Sequence, residues 1–148
     1  MTTFVIDSSS SLKCVLKDED NYKIAQQILA EYLSGKINLI SPNIWIYEVA
    51  NGLRSAYLSK RISFIKSKQL LDKILLAKPD TYFVETFIKQ CFEISEKYQI
   101  SVYDGLYVFL ALNNKIPLIS SDSKLVEKID DSKIAINLTD YPNFQSVN

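Results

Sequence analysis

An α/β sandwich built on a largely parallel sheet is the fold this sequence predicts, and three observations predict it. Short apolar runs of strand length alternate along the chain with longer segments whose apolar residues recur at helical spacing. Residues that start helices stand at the boundaries between the two kinds of segment. The 148 residues, 47% of them hydrophobic, suffice for one core and not for two. Residues 1–148 are therefore expected to form a single domain.

Taken in order, TTFVID is a buried strand that ends at Asp7, and the serines from Ser8 to Ser11 form a turn that caps a helix over Leu12 to Leu16. Asp20 to Ser34 has helical spacing and stops at Gly35, and INLI follows as the second strand. Ser41-Pro42 is expected to open the helix that carries Glu48, because proline at a first helical position gives up no needed N–H. Ser63 caps a helical run to about Lys78, TYFVE is the third strand, and Phe87 to Tyr98 is an amphipathic helix. Ser101 opens the apolar helix that holds Asp104. IPLIS is the fourth strand, ending at Ser120, Asp122 to Ile129 is a short helix, and KIAINL is the last strand. Strands separated by helices in this way favour parallel pairing, so the sheet should have about five mostly parallel strands.

The charge balance narrows the choice of function. With 17 basic and 17 acidic residues and a pI near 6.3, the chain as a whole has no attraction for polyanions. From Arg54 to Lys78, however, seven basic residues face a single acid, Asp72. Lysines spaced through a helix are commonly just a solvated face. Arg54 and Arg61 are the better phosphate candidates, because a guanidinium grips phosphate through two parallel hydrogen bonds, and Tyr57 offers an aromatic surface between them. The absence of histidine excludes Ser-His and Cys-His nucleophile pairs and the usual zinc ligands. Cys14 and Cys91 lie far apart in apolar contexts and read as buried thiols. With no secretory leader pattern and no run of membrane-spanning length, the protein is expected in the cytoplasm and not in a membrane.

The remaining chemistry rests on carboxylates. Asp7, Glu48, Asp104 and Asp122 each lie within or at the end of an apolar segment, where an ionised group is costly unless a cation or hydrogen-bond donors compensate it. Asp7 and Asp122 fall at carboxyl ends of strands, which is where open α/β sheets bind ligands. Helix capping explains Asp7, Asp104 and Asp122 equally well when each is taken alone. Glu48, read as lying deep in its helix, is too far in to cap, and its alternative is an exposed or ion-paired side chain.

Four segments, FVIDSSS, EVANGLR, YDGLYVFLAL and LISSDSKL, resemble in order and spacing the four motifs of the PIN-domain nucleases, and the VapC toxin subgroup most nearly. The resemblance spans essentially the whole chain and implies a PIN-like three-layer sandwich. It matches Asp7, Glu48, Asp104 and Asp122 to the family's catalytic and metal-binding acids. Ser9, Asn51 and Ser120 match polar residues lining the site; Ser120 stands where many members have threonine, and Lys124 where some have a further acid. The implied activity is Mg²⁺- or Mn²⁺-dependent endonucleolytic hydrolysis of RNA, leaving a 5′-phosphate and a 3′-hydroxyl. The implied partners are an RNA substrate, a small antitoxin protein bound near the Glu48 helix, and a second copy of the chain in a homodimer. Two other readings are a PIN-like scaffold that binds without cutting and a receiver-like domain phosphorylated on a strand-end aspartate. The receiver reading wants an acidic pair after the first strand, whereas here serines follow Asp7.

Overall fold

A computed structural model describes residues 1–147. Five strands form one sheet in the order β3-β2-β1-β4-β5: β1 (Thr2–Ile6), β2 (Ile37–Pro42), β3 (Asp80–Tyr82), β4 (Leu118–Ser120) and β5 (Ala135–Asn137). All four pairings are parallel. The α-helices among the described residues are α1 (Ser8–Lys13), α2 (Tyr22–Leu33), α3 (Trp45–Leu58), α4 (Phe64–Leu76), α5 (Ile88–Tyr98), α6 (Val102–Asn114), α7 (Ser123–Lys128) and α8 (Tyr141–Val147).

Alternation along β1 builds the three layers. Val5 joins Ile40 and Leu118 in a core with α5 and α6, while Phe4 and Ile6 point the other way into a core with α2 and Tyr141. A third cluster, centred on Trp45, Val49 and Leu70, packs α3 and α4 against the segment after α1. Helix α6 is buried almost all round, from Gly105 to Ala111, as expected for a helix laid between sheet and α5. Its close approach to α5 depends on Gly105, where an added Cβ would lie 2.8 Å from the backbone oxygen of Cys91. Gly35 ends the turn after α2 at φ +75°, a conformation that favours glycine.

Several boundaries differ from the sequence expectation. Helix α1 begins at Ser8, not Leu12, because Asp7 itself is the N-cap and accepts from the Ser10 amide. Ser41 and Pro42 belong to β2, where they pair with Thr81 and Tyr82, and the helix starts only at Trp45. The reason is tertiary: the Ser41 hydroxyl donates to the Ile6 carbonyl at 2.6 Å, tying this residue into the sheet, and proline at a strand end costs little. Strand β3 is 80–82 rather than 81–85, since the chain turns at Val84, which is buried under α6. Helix α8, whose Phe144 packs on Phe4 at 5.5 Å between ring centroids, was not expected from the sequence.

Candidate functional site

The strand order decides where the acids meet. Chain connections leave β1 toward β2 on one side and reach β4 on the other, so the β1/β4 boundary is the switch point of the sheet. Asp7 leaves the end of β1 there, and the register that pairs Ile6 with Ile119 sets it beside Ser120. Helices α3, α6 and α7 begin at this same carboxyl edge, each carrying one of the other acids at its start.

Asp7 is 7% exposed, and hydrogen bonds hold both of its oxygens. Oδ1 accepts from the Ser10 amide at 2.8 Å and the Ser9 hydroxyl at 3.0 Å, and Oδ2 accepts from the Ser120 hydroxyl at 2.5 Å. Burial pushes its pKa up, and the serine donors oppose the shift only in part. Ser120 Oγ also accepts from the Asp122 amide at 3.1 Å, so one buried hydroxyl joins the ends of β1 and β4. Ser9 reaches Ser121 across the same edge, the hydroxyls 3.0 Å apart.

Glu48 lies in the first turn of α3 rather than deep in the helix, since α3 starts at Trp45. Its Oε1 accepts a 2.6 Å hydrogen bond from the Tyr107 hydroxyl, which comes from α6 and is almost wholly buried. Burial raises the pKa of Glu48, the Tyr107 bond lowers it, and the charges of Asp104 and Asp7 raise it further. Asp104 is raised by burial too, and by Asp7 and Asp122, while Lys128 and its Ser101 partner counter the shift. Burial and the Glu48 charge together push the Tyr107 phenol upward, keeping it a donor. Asp122 is exposed and caps α7 through Oδ1, which accepts from the Lys124 and Leu125 amides at 3.0 and 3.2 Å. Capping and a place at this shared edge therefore coexist in Asp7 and Asp122.

The four acids thus share one edge, and the charges of their neighbours raise Glu48 and Asp104. Among the described residues no three acids or cysteines stand close enough to enclose an ion as placed. The donor set nonetheless fits a hard divalent ion: every donor is oxygen, and Mg²⁺ keeps several waters and takes only one or two carboxylates directly. Asp7 and Asp104 would hold such an ion, with Glu48 and Asp122 acting directly or through water.

Of the other residues expected at the site, Ser9 and Ser120 both hydrogen-bond the Asp7 carboxylate. Asn51 is exposed one turn beyond Glu48 on α3. Arg54, two turns on, lines a hollow between α3 and α4 with Tyr57 and Phe64. Arg61 lies past the far end of α3, where its guanidinium is engaged by Asp18 at 2.9 Å and Glu19 at 2.8 Å. A phosphate would have to displace both carboxylates to reach it. Sequence reasoning missed Tyr107, although its i+3 spacing from Asp104 puts the two on neighbouring positions of one helix face.

No protein of curated function matches the sequence. The crystal structure of PAE2754 from Pyrobaculum aerophilum matches with a TM-score of 0.73 over 99% of this chain and 98% of that one, at 16% identity, a likeness of fold. The PIN domain family model matches residues 4–131, which include all four acids and the strands and helices that present them. With its parallel sheet, its acidic edge and that match, the chain belongs to the PIN domain family.

Proposed function

We propose that this protein is a metal-dependent endoribonuclease, the toxin of a toxin-antitoxin pair of the VapC kind. PIN domains are in general nucleases and typically use divalent metals. The observation that carries the reading is the gathering of Asp7, Glu48 and Asp104 at the switch point, each with its pKa raised by burial, and with Glu48 and Asp104 raised further by neighbouring carboxylates. A bare acidic edge repels a phosphodiester; with a divalent cation it attracts one.

When bound, Mg²⁺ or Mn²⁺ would activate the attacking water and neutralise charge on the phosphate. The chain's own residues do the rest. The three serine donors hold the Asp7 carboxylate in one orientation, and Tyr107 holds Glu48 toward the same edge. Ser120 locks the distance between the Asp7 and Asp122 segments. Arg54, with Lys66 and Lys68 on α4, offers cationic contacts for the RNA backbone beyond the cut. The apolar hollow between α3 and α4, about 310 Å³, with Phe64 and Ile65 exposed beside it, fits a small antitoxin segment. Exposed Phe83 and Phe92 supply apolar surface for a homodimer.

The test is cleavage of end-labelled RNA by purified protein with Mg²⁺ or Mn²⁺, with EDTA, and with an Asp7→Asn variant prepared alongside. Metal-dependent cleavage that vanishes in the variant is the expected result. Cleavage surviving in EDTA or in Asp7→Asn would remove the acidic edge from the chemistry.

A further inference from the structure

Two exposed tyrosines are chain neighbours of site carboxylates. Tyr47 precedes Glu48 and is 71% exposed, and Tyr103 precedes Asp104 and is 60% exposed. Single exposed aromatics are ordinary on protein surfaces. Tyr47 differs because it stands at the rim of a hollow of about 250 Å³ between the start of α3, residues 84–88 and α6. Ile44, Val84, Ile88 and Leu106 supply apolar walls, and Asn43 and Glu85 add an amide and a carboxylate. Among the described residues, neither of these two polar side chains has a hydrogen-bond partner.

The position of the hollow gives it meaning. Two of its lining residues adjoin site acids in the chain, Tyr47 next to Glu48 and Leu106 two positions after Asp104, so the hollow lies beside the acidic edge. Tyr103 lies one turn before Leu106 and Tyr107 on the same side of α6. The volume lies below the roughly 300–1,000 Å³ of pockets that take drug-sized ligands, the size for one flat ring system. An aromatic rim, an apolar floor and two unengaged polar groups are the means by which proteins hold an unpaired base: stacking on its face, hydrogen bonds on its edge.

We propose that this hollow receives an unpaired nucleobase next to the scissile phosphate, stacked on Tyr47, and that Tyr103 supports the strand on the other side of the cut. This inference rests on the ribonuclease reading of the acidic edge.

The test uses the full chain carrying Asp7→Asn, which is expected to bind without cutting, and single-stranded RNA with 2-aminopurine placed at successive positions. At one position next to the cut mapped with the unsubstituted protein, binding should quench the fluorescence. Adding Tyr47→Ala should abolish that quenching and weaken Kd roughly 5- to 150-fold, the equivalent of about 1–3 kcal/mol per stacked base. Tyr47→Phe should preserve both, and pairing that base in a duplex should prevent quenching. Quenching that persists unchanged in Tyr47→Ala overturns the base site and leaves the nuclease reading standing. So does a Tyr47→Ala variant that turns a dimer into a monomer in sedimentation, which assigns the hollow to a second copy. If the unsubstituted protein cuts no RNA with either metal, both readings fall.

Discussion

Asp7 is a carboxylate held in a buried place by three serine donors, and the raised pKa shows that these donors do not fully replace lost water. A carboxyl whose folded pKa lies above its unfolded value stabilises the fold at low pH, and that stability is lost as pH rises through the folded pKa. Asp7→Asn keeps an oxygen for the Ser10 amide and removes the charge. The variant should therefore exceed the parent in stability at neutral pH by on the order of 1–3 kcal/mol, with the gap closing in acid; urea unfolding across pH measures it. At Glu48 burial raises the pKa as well, and the Tyr107 hydroxyl is the donor that limits the rise. Tyr107→Phe should cost about 1–3 kcal/mol, the usual range for stripping a partner from a buried group. It should also move the acidic limb of the pH-rate profile upward, a shift that simple loss of packing does not produce.

At the scale of elements, the contact between α5 and α6 sets where Asp104 stands. Gly105→Ala would press a Cβ to 2.8 Å from the Cys91 backbone oxygen, and backbone cannot yield as a side chain can. Overpacking of this kind costs about 1–3 kcal/mol, more than the roughly 1 kcal/mol that alanine gains over glycine in a helix. Gly52→Ala is the matched control: its Cβ meets only the end of the Leu12 side chain, which can rotate aside. Urea unfolding should thus show Gly105→Ala clearly destabilised and Gly52→Ala close to the parent. The ion pairs of Arg61 with Asp18 and Glu19 fasten the turn after α1 to the end of α3, and the guanidinium holds Asp18 below the usual carboxylate range. At this exposure they act as a salt-sensitive clasp on the turn.

Across the whole molecule, zero net charge conceals an acidic sheet edge and a basic run from Arg54 to Lys78. Strand order brings the acids together; no helix among the described residues is long and apolar enough to cross a membrane. If the edge binds a divalent ion only when folded, Mn²⁺ should raise the melting temperature. At a hundredfold excess over Kd the gain is about 2.7 kcal/mol. The gain should grow as pH rises and the carboxyls ionise, and it should vanish in Asp7→Asn. Calorimetry with and without Mn²⁺ reads this without any RNA present.

The sequence by itself determined what depends on neighbours along the chain. Periodicity placed strands and helices in their order, Ser63, Ser101 and Asp122 marked helix starts, and four acids in four motif contexts carried the likeness to a nuclease family. Only the tertiary structure decided what depends on residues far apart. It paired β1 with β4 so that Ser120 reaches Asp7 over 113 positions, and it closed Tyr107 onto Glu48 over 59. It drew Ser41-Pro42 into β2 through the Ile6 carbonyl and engaged Arg61 with Asp18 and Glu19. The physical reason is one of range: caps and periodicity act within a turn or two, whereas burial and charge at this edge are set by which strands lie side by side.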